Sequence, residues 1–156
     1  MPSRKSQRIN RSVGVTTASR APAIVYSIGA VLALAGLADA TYLTVQFLSG
    51  ETAVCGGSAD CFRVLGSGYA HFGPVPVAGI GALAYFGVFT FAIFAAFRYG
   101  RAPMLFALLV STMFIGTLWF LFVQTFLLHA FCKFCLFSAA IVFLLMGLVV
   151  ATPRRV

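Results

Sequence analysis

Residues 131–151 read FCKFCLFSAAIVFLLMGLVVA. After Lys133 no charge occurs through Ala151. At 1.5 Å per residue this run is about long enough to cross the ~30 Å hydrocarbon core of a bilayer. It opens on a Cys-x-x-Cys pair, Cys132 and Cys135. Residues three apart share one face of a helix, so the two thiols can close into a disulfide and reopen. A helix N-terminus favours negative charge and therefore the thiolate, and Lys133 adds to that field. The stretch reads as a redox pair built into the start of a membrane helix.

Three more apolar runs precede it. Helices are expected over about 23–48, 77–97, 103–128 and 132–151. The sequence is 61% hydrophobic and 9% charged, with 17 Phe in 156 residues. A soluble domain of that size has no interior large enough to hide so much apolar surface, so the fold class is an all-α integral membrane protein with a four-helix bundle. The net charge of +8 is not a nucleic-acid signal, because the basic residues cluster at the ends of apolar runs, where topology signals belong. The first apolar run is too long for the h-region of a signal peptide and is read as a retained helix. Residues 1–21 form a basic tail, low in apolar residues and expected to lack structure. Residues 153–156 form a basic end.

Within the first helix Gly29, Ala33, Gly36 and Ala40 fall at helical spacing, a small-residue stripe against which another helix can pack closely. Asp39, Tyr42 and Gln46 share another face. A carboxylate within a span is costly and marks either a functional group or a hydrogen bond to a neighbouring helix. The long loop, residues 49–76, holds Cys55, Cys61, Ser67 and His71. Phe62, Leu65, Tyr69 and Phe72 recur at helical spacing there. That predicts a short interfacial helix, interrupted by Gly66 and Gly68, lying over the membrane edge as a cap. Pro74 and Pro76 end the loop. In the third helix Thr117 and Gln124 share a face, and such groups commonly satisfy one another between helices.

Charge fixes the topology. The tail carries Arg4, Lys5, Arg8, Arg11 and Arg20; the 98–101 turn carries Arg98 and Arg101; the C-terminus carries Arg154 and Arg155. With four spans all nine share one side, which should be cytoplasmic. Only Arg63 and Lys133 lie opposite. Both cysteine pairs then share the extracytoplasmic face, where disulfides persist.

Two pairs on one face permit a relay by thiol–disulfide exchange. Cys55 and Cys61, in a glycine-bearing loop, suit a mobile shuttle; Cys132 and Cys135, at a helix start, suit a fixed terminal pair. Electrons reaching the fixed pair need an acceptor, for which a lipid-soluble quinone in an apolar pocket between helices is the natural choice. Two other readings stay open: a loop staple with inert thiols, and a thiolate metal site. The loose Cys55-x5-Cys61 spacing argues against the metal, and none is expected.

The order of these motifs is specific. One loop carries Cys55, Cys61 and Ser67; Pro76-Val77-Ala78-Gly79-Ile80-Gly81-Ala82-Leu83-Ala84-Tyr85 opens a helix; Cys132-Lys133-Phe134-Cys135 opens the last. This resembles the vitamin K epoxide reductase family over about residues 23–151, in a bacterial-type form without a fused thioredoxin domain. A DsbB-type protein also has four helices and two cysteine pairs, but places its Cys-x-x-Cys first and in a loop.

The resemblance implies a bundle around a quinone pocket, capped by the loop. Cys55 would exchange with a thioredoxin-fold partner, Cys61 would pass electrons to Cys132, and Cys135 would stand nearest the quinone. Ser67 would hold the loop against the active pair, and Asp39, Val77, Gln124 and Ala139 would border the quinone. Vertebrate members place an Asn where Val77 aligns and a Tyr where Ala139 stands. Their absence points from epoxide reduction, the alternative activity, toward a plain quinone, menaquinone or ubiquinone. The partner is expected to be a separate DsbA-like protein, the membrane a bacterial inner or cytoplasmic one, and the product disulfides for extracytoplasmic folding. Membrane lipid surrounds the chain, and no nucleic acid is involved.

Overall fold

The computed structural model describes residues 4–49 and 59–152, with side chains described from residue 23 onward, apart from Phe62, His71 and Phe72. Among these residues it is all-α apart from one hairpin of two two-residue strands. The helices are α1 (Arg4–Ser49), α2 (Ala59–Leu65), α3 (Val77–Ala96), α4 (Ala102–Phe122) and α5 (Lys133–Ala151). Among the described residues four stretches are long and apolar enough to cross a membrane: Ala23–Ser49, Val77–Ala96, Ala102–Leu128 and Lys133–Ala151. The chain is an integral membrane protein with four spanning helices. α1 begins at Arg4, within the stretch expected to lack structure. Once the apolar part is helical, propagation adds one hydrogen bond per residue and carries the backbone into the tail.

α1 packs along α3 and α5, and α4 along α3 and α5. The small-residue stripe of α1 is the contact surface: Gly29, Ala33, Gly36 and Ala40 are all buried. Gly36 lies under the ring of Tyr85, where an added Cβ would come within 2.7 Å of Cδ1. Gly29 similarly admits Phe106, whose ring meets Tyr26 edge-on with centroids 5.6 Å apart. Ala33, Tyr85, Val88, Val110 and Leu145 lie in the resulting core. Large apolar side chains such as Leu83, Phe86, Ile115, Trp119 and Val150 face outward, as a lipid-facing surface requires.

The cap between the first two spans is only partly helical. α2 supplies the expected short helix but ends at Leu65, before Gly66. His71–Phe72 (β1) and Val75–Pro76 (β2) then pair as an antiparallel hairpin. Its turn needs a positive φ, which Gly73 provides at 60°. Tyr69 and Phe72 are therefore not on the helix that their spacing predicts; the glycines end it and proline chemistry turns the chain. Pro76 then caps α3 with an extended backbone.

α4 passes into a π-helical turn, Val123–Leu128, which ends at His129 in the left-handed region, φ 47° and ψ 37°. Such wider turns often occur at functional sites. This one delivers the chain to the Cys-x-x-Cys motif.

Candidate functional site

Cys132 is the N-cap of α5. Its backbone is extended, and its sulfur accepts the N–H of Cys135 at 3.4 Å. An N-cap side chain normally supplies an oxygen to this donor; here a thiol does. The Cys132 thiol is held down to about 7, first by the hydrogen bond from the Cys135 thiol and then by the backbone N–H groups of Cys135 and Phe134. Burial and the Asp39 carboxylate act against that depression. The helix-start argument from sequence thus has a definite local form: the sulfur itself closes the first turn.

Gln124 fixes where that N-cap sits. It is the one buried polar residue among the described side chains, at 1% exposure. Its Oε1 accepts the backbone N–H of Cys132 at 3.3 Å. Its backbone carbonyl accepts the N–H groups of His129 and Ala130. One residue in the π-turn therefore holds the whole approach to Cys132. Neither this clamp nor the π-turn is visible from helical periodicity, which had paired Gln124 with polar groups on other helices. The available signal was an amide within an apolar run, eight residues before Cys132.

The loop reaches the same place. Cys61, on α2, is buried beside Val64, Ala130 and Cys132. The Cys61 and Cys132 sulfurs are 3.8 Å apart. Cys61 is already in a disulfide, whereas Cys132 and Cys135 are free thiols. Cys55 lies outside the described residues. Ser67 donates its hydroxyl to the Val64 carbonyl at 2.8 Å, closing the end of α2 on itself; its described contact is within the cap, not with the Cys-x-x-Cys pair.

Below the cysteines lies a cavity of about 470 Å³ with walls from all four spans and the cap, within the range of small-molecule sites. Cys135 lines it, together with Asp39, Val77, Gln124 and Ala139. Most of the wall is apolar. The polar exceptions are few: Asp39, Thr112, Thr117, Gln124, Tyr85 and Ser138. Tyr85 donates to the Ser138 carbonyl at 3.0 Å and shares a 2.8 Å contact with the Ser138 hydroxyl, tying α3 to α5 one turn below Cys135. Sequence reading had used Tyr85 only as part of a motif; Ser138, three residues after Cys135 and on its face, was its unread partner. Among the described residues no three His, Cys, Asp or Glu side chains gather as metal ligands.

A stacked order results: loop disulfide, Cys132, Cys135, cavity. The vitamin K epoxide reductase family model matches residues 27–150. The chain belongs to that family. Within it, the close spacing of Cys61, Cys132 and Cys135 marks a membrane redox protein with a redox-active centre.

Proposed function

We propose that this family member oxidises a separate thioredoxin-fold dithiol protein and passes the electrons through Cys55/Cys61 to Cys132/Cys135 and on to a quinone. The product is a supply of disulfides for extracytoplasmic folding. The observation that carries the reading is Cys132 lying 3.8 Å from Cys61 while Cys135, its helix neighbour, lines the cavity. Each member of the pair touches a different end of the relay.

The exchange balances as follows. The Cys61 thiolate attacks Cys132 in the Cys132–Cys135 disulfide; the Cys61–Cys132 bond forms and Cys135 leaves as thiolate. The Cys55 thiolate then attacks Cys61, forming the loop disulfide and releasing Cys132. A disulfide at Cys61 with free Cys132 and Cys135 is the state after this exchange. The partner's dithiol reduces the loop disulfide through Cys55. A quinone, when bound, supplies an acceptor for the two electrons and two protons that the Cys132/Cys135 dithiol must lose.

The cavity chemistry fits such a group: the apolar wall would hold its ring, Gln124 and Asp39 would offer polar contacts, and Val77 and Ala139 would add apolar lining. Ser67 keeps α2 closed so that Cys61 stays seated. Apolar residues at 77 and 139 favour a plain quinone over an epoxide. The positive-inside pattern puts both termini in the cytoplasm and the cysteines on the outer face of a bacterial cytoplasmic membrane.

The test is quinol formation by the purified protein with a reduced thioredoxin-fold partner or a small dithiol. Cys132→Ser and Cys135→Ser should lose activity with either donor. Cys55→Ser and Cys61→Ser should lose it with the protein donor and keep it with the small dithiol. A wild type that reduces no quinone with either donor would overturn the reading.

A further inference from the structure

Asp39 is the one acidic side chain lining the cavity among the described residues. It lies ten residues before the end of α1, roughly 15 Å into the span. Its Oδ2 is buried and has no hydrogen-bond partner among the described residues. Among the described side chains no Lys, Arg or His lines the cavity. A carboxylate oxygen left buried and unpaired within a span is costly, and a purely structural role leaves this oxygen unexplained. The other titratable groups lining the cavity among the described residues are Tyr85 from α3 and Cys135 from α5. The helix α4 contributes Thr112 and Thr117, and the π-turn after it Gln124, none of which titrates in the ordinary range. Asp39 is near enough to Tyr85, Cys132 and Cys135 to act on each electrostatically.

The reaction read from the site needs two protons delivered where two electrons arrive. The hydrogen bond from the Cys135 thiol holds the Cys132 thiol down, which favours reaction from the Cys132 thiolate. Cys135 then holds the only thiol proton left, and a second donor is required. Tyr85 is a poor candidate because its hydroxyl is engaged by Ser138, and the Thr112 hydroxyl is spent on the Leu108 carbonyl. A carboxyl group suits both states of a quinone. As an acid it donates to a carbonyl oxygen; as a carboxylate it accepts from the hydroxyl that results.

We propose that Asp39 is the proton-transfer group of the cavity, giving a proton to an oxygen of the bound quinone as the Cys132/Cys135 disulfide forms. This rests on the quinone reading above. In the step, one S–S bond forms and the sulfurs lose two electrons to the quinone. One proton comes from the Cys135 thiol and the other from Asp39. Asp39 is restored by one of the two protons that the donor dithiol releases as it re-reduces the Cys132/Cys135 pair, and Cys135 takes up the other, so the net transfer is two electrons and two protons.

The experiment uses full-length protein, a small dithiol donor and a short-tailed benzoquinone, with Asp39→Asn and Asp39→Glu. Asp39→Asn should lower kcat by about 10²–10⁴-fold, the usual worth of a general acid, with quinone KM changed less than about threefold. Asp39→Glu should recover most of kcat with a shifted pH profile. Infrared difference spectra on reduction should show a carboxyl C=O band in wild type that is absent from Asp39→Asn. An Asp39→Asn enzyme with wild-type kcat, or one changed only in KM, overturns the proposal. So does a wild-type difference spectrum without a carboxyl band. Loss of kcat in both variants together with loss of Cys61–Cys132 exchange would mean a structural role and would overturn it too. If wild type itself reduces no quinone, the quinone reading falls and takes this one with it; the other outcomes leave that reading standing.

Discussion

The Cys132 sulfur is asked to be two things, a helix cap and a nucleophile, and the same hydrogen bonds serve both. With its thiol at about 7, close to half is thiolate at pH 7, against a few per cent for an ordinary cysteine. A lowered value means that the thiolate is present above pH 7 and lost on acidification. In protein with the loop disulfide intact, thiolate absorbance should therefore rise through a midpoint near pH 7. Replacing Cys135 with Ala removes the largest cause and should move the midpoint up toward the ~8.5 of a free cysteine; an unmoved midpoint would assign the depression to the helix start alone. Gln124 makes a separate claim. Gln124→Leu leaves the Cys132 N–H without its acceptor and should cost about 1–3 kcal/mol of stability, read by thermal unfolding in detergent. Gln124→Glu keeps an acceptor oxygen and should lose less. The sequence showed that residue 124 was polar within an apolar run. It did not show the partner, because a contact between a side chain and a backbone N–H eight residues away has no periodic signature.

At the scale of elements, the approach of α1 to α3 depends on Gly36 under Tyr85. A side chain at 36 collides with a ring held at its far end by Ser138, so the ring is not free to swing aside. Gly36→Val should destabilise by about 1–3 kcal/mol, as overpacking does, while Gly81→Ala, where a Cβ meets nothing within 4 Å, should be tolerated; the pair is compared by thermal unfolding. The stripe that includes Gly36 was legible, since small residues at helical spacing have one common use in membranes. The ends of the spans were legible from prolines and charges. The cap was less so. Four aromatic and aliphatic residues at helical spacing predicted a longer helix than α2, but Gly66, Gly68 and the Gly73-Pro74 turn outweigh that pattern. The π-turn after α4 was not legible at all, because it departs from an α-helix by one hydrogen-bond step rather than by composition.

For the molecule as a whole, four spans bring Cys61 of the loop and the helix-start cysteines to one end of the bundle. The number of spans and the pairing of ends follow from hydropathy and basic residues, which act over whole segments and survive errors of a few residues. Reporter fusions should place residues 1 and 156 on the cytoplasmic side; opposite sides would require an odd number of spans. The cavity beneath the cysteines was expected from the relay's need for an acceptor and from family resemblance, and was not read from any one stretch, since a space between four helices is a property of their packing. The central claim is that electrons cross between loop and bundle through Cys61 and Cys132. It is tested most directly in the Cys55→Ser, Cys135→Ser double variant, where the mixed disulfide has no thiol to resolve it. After mild oxidation and non-reducing proteolysis, mass spectrometry should find Cys61 joined to Cys132 as the principal disulfide. Recovery of both as free thiols, under conditions that fully oxidise the wild type, would contradict the relay.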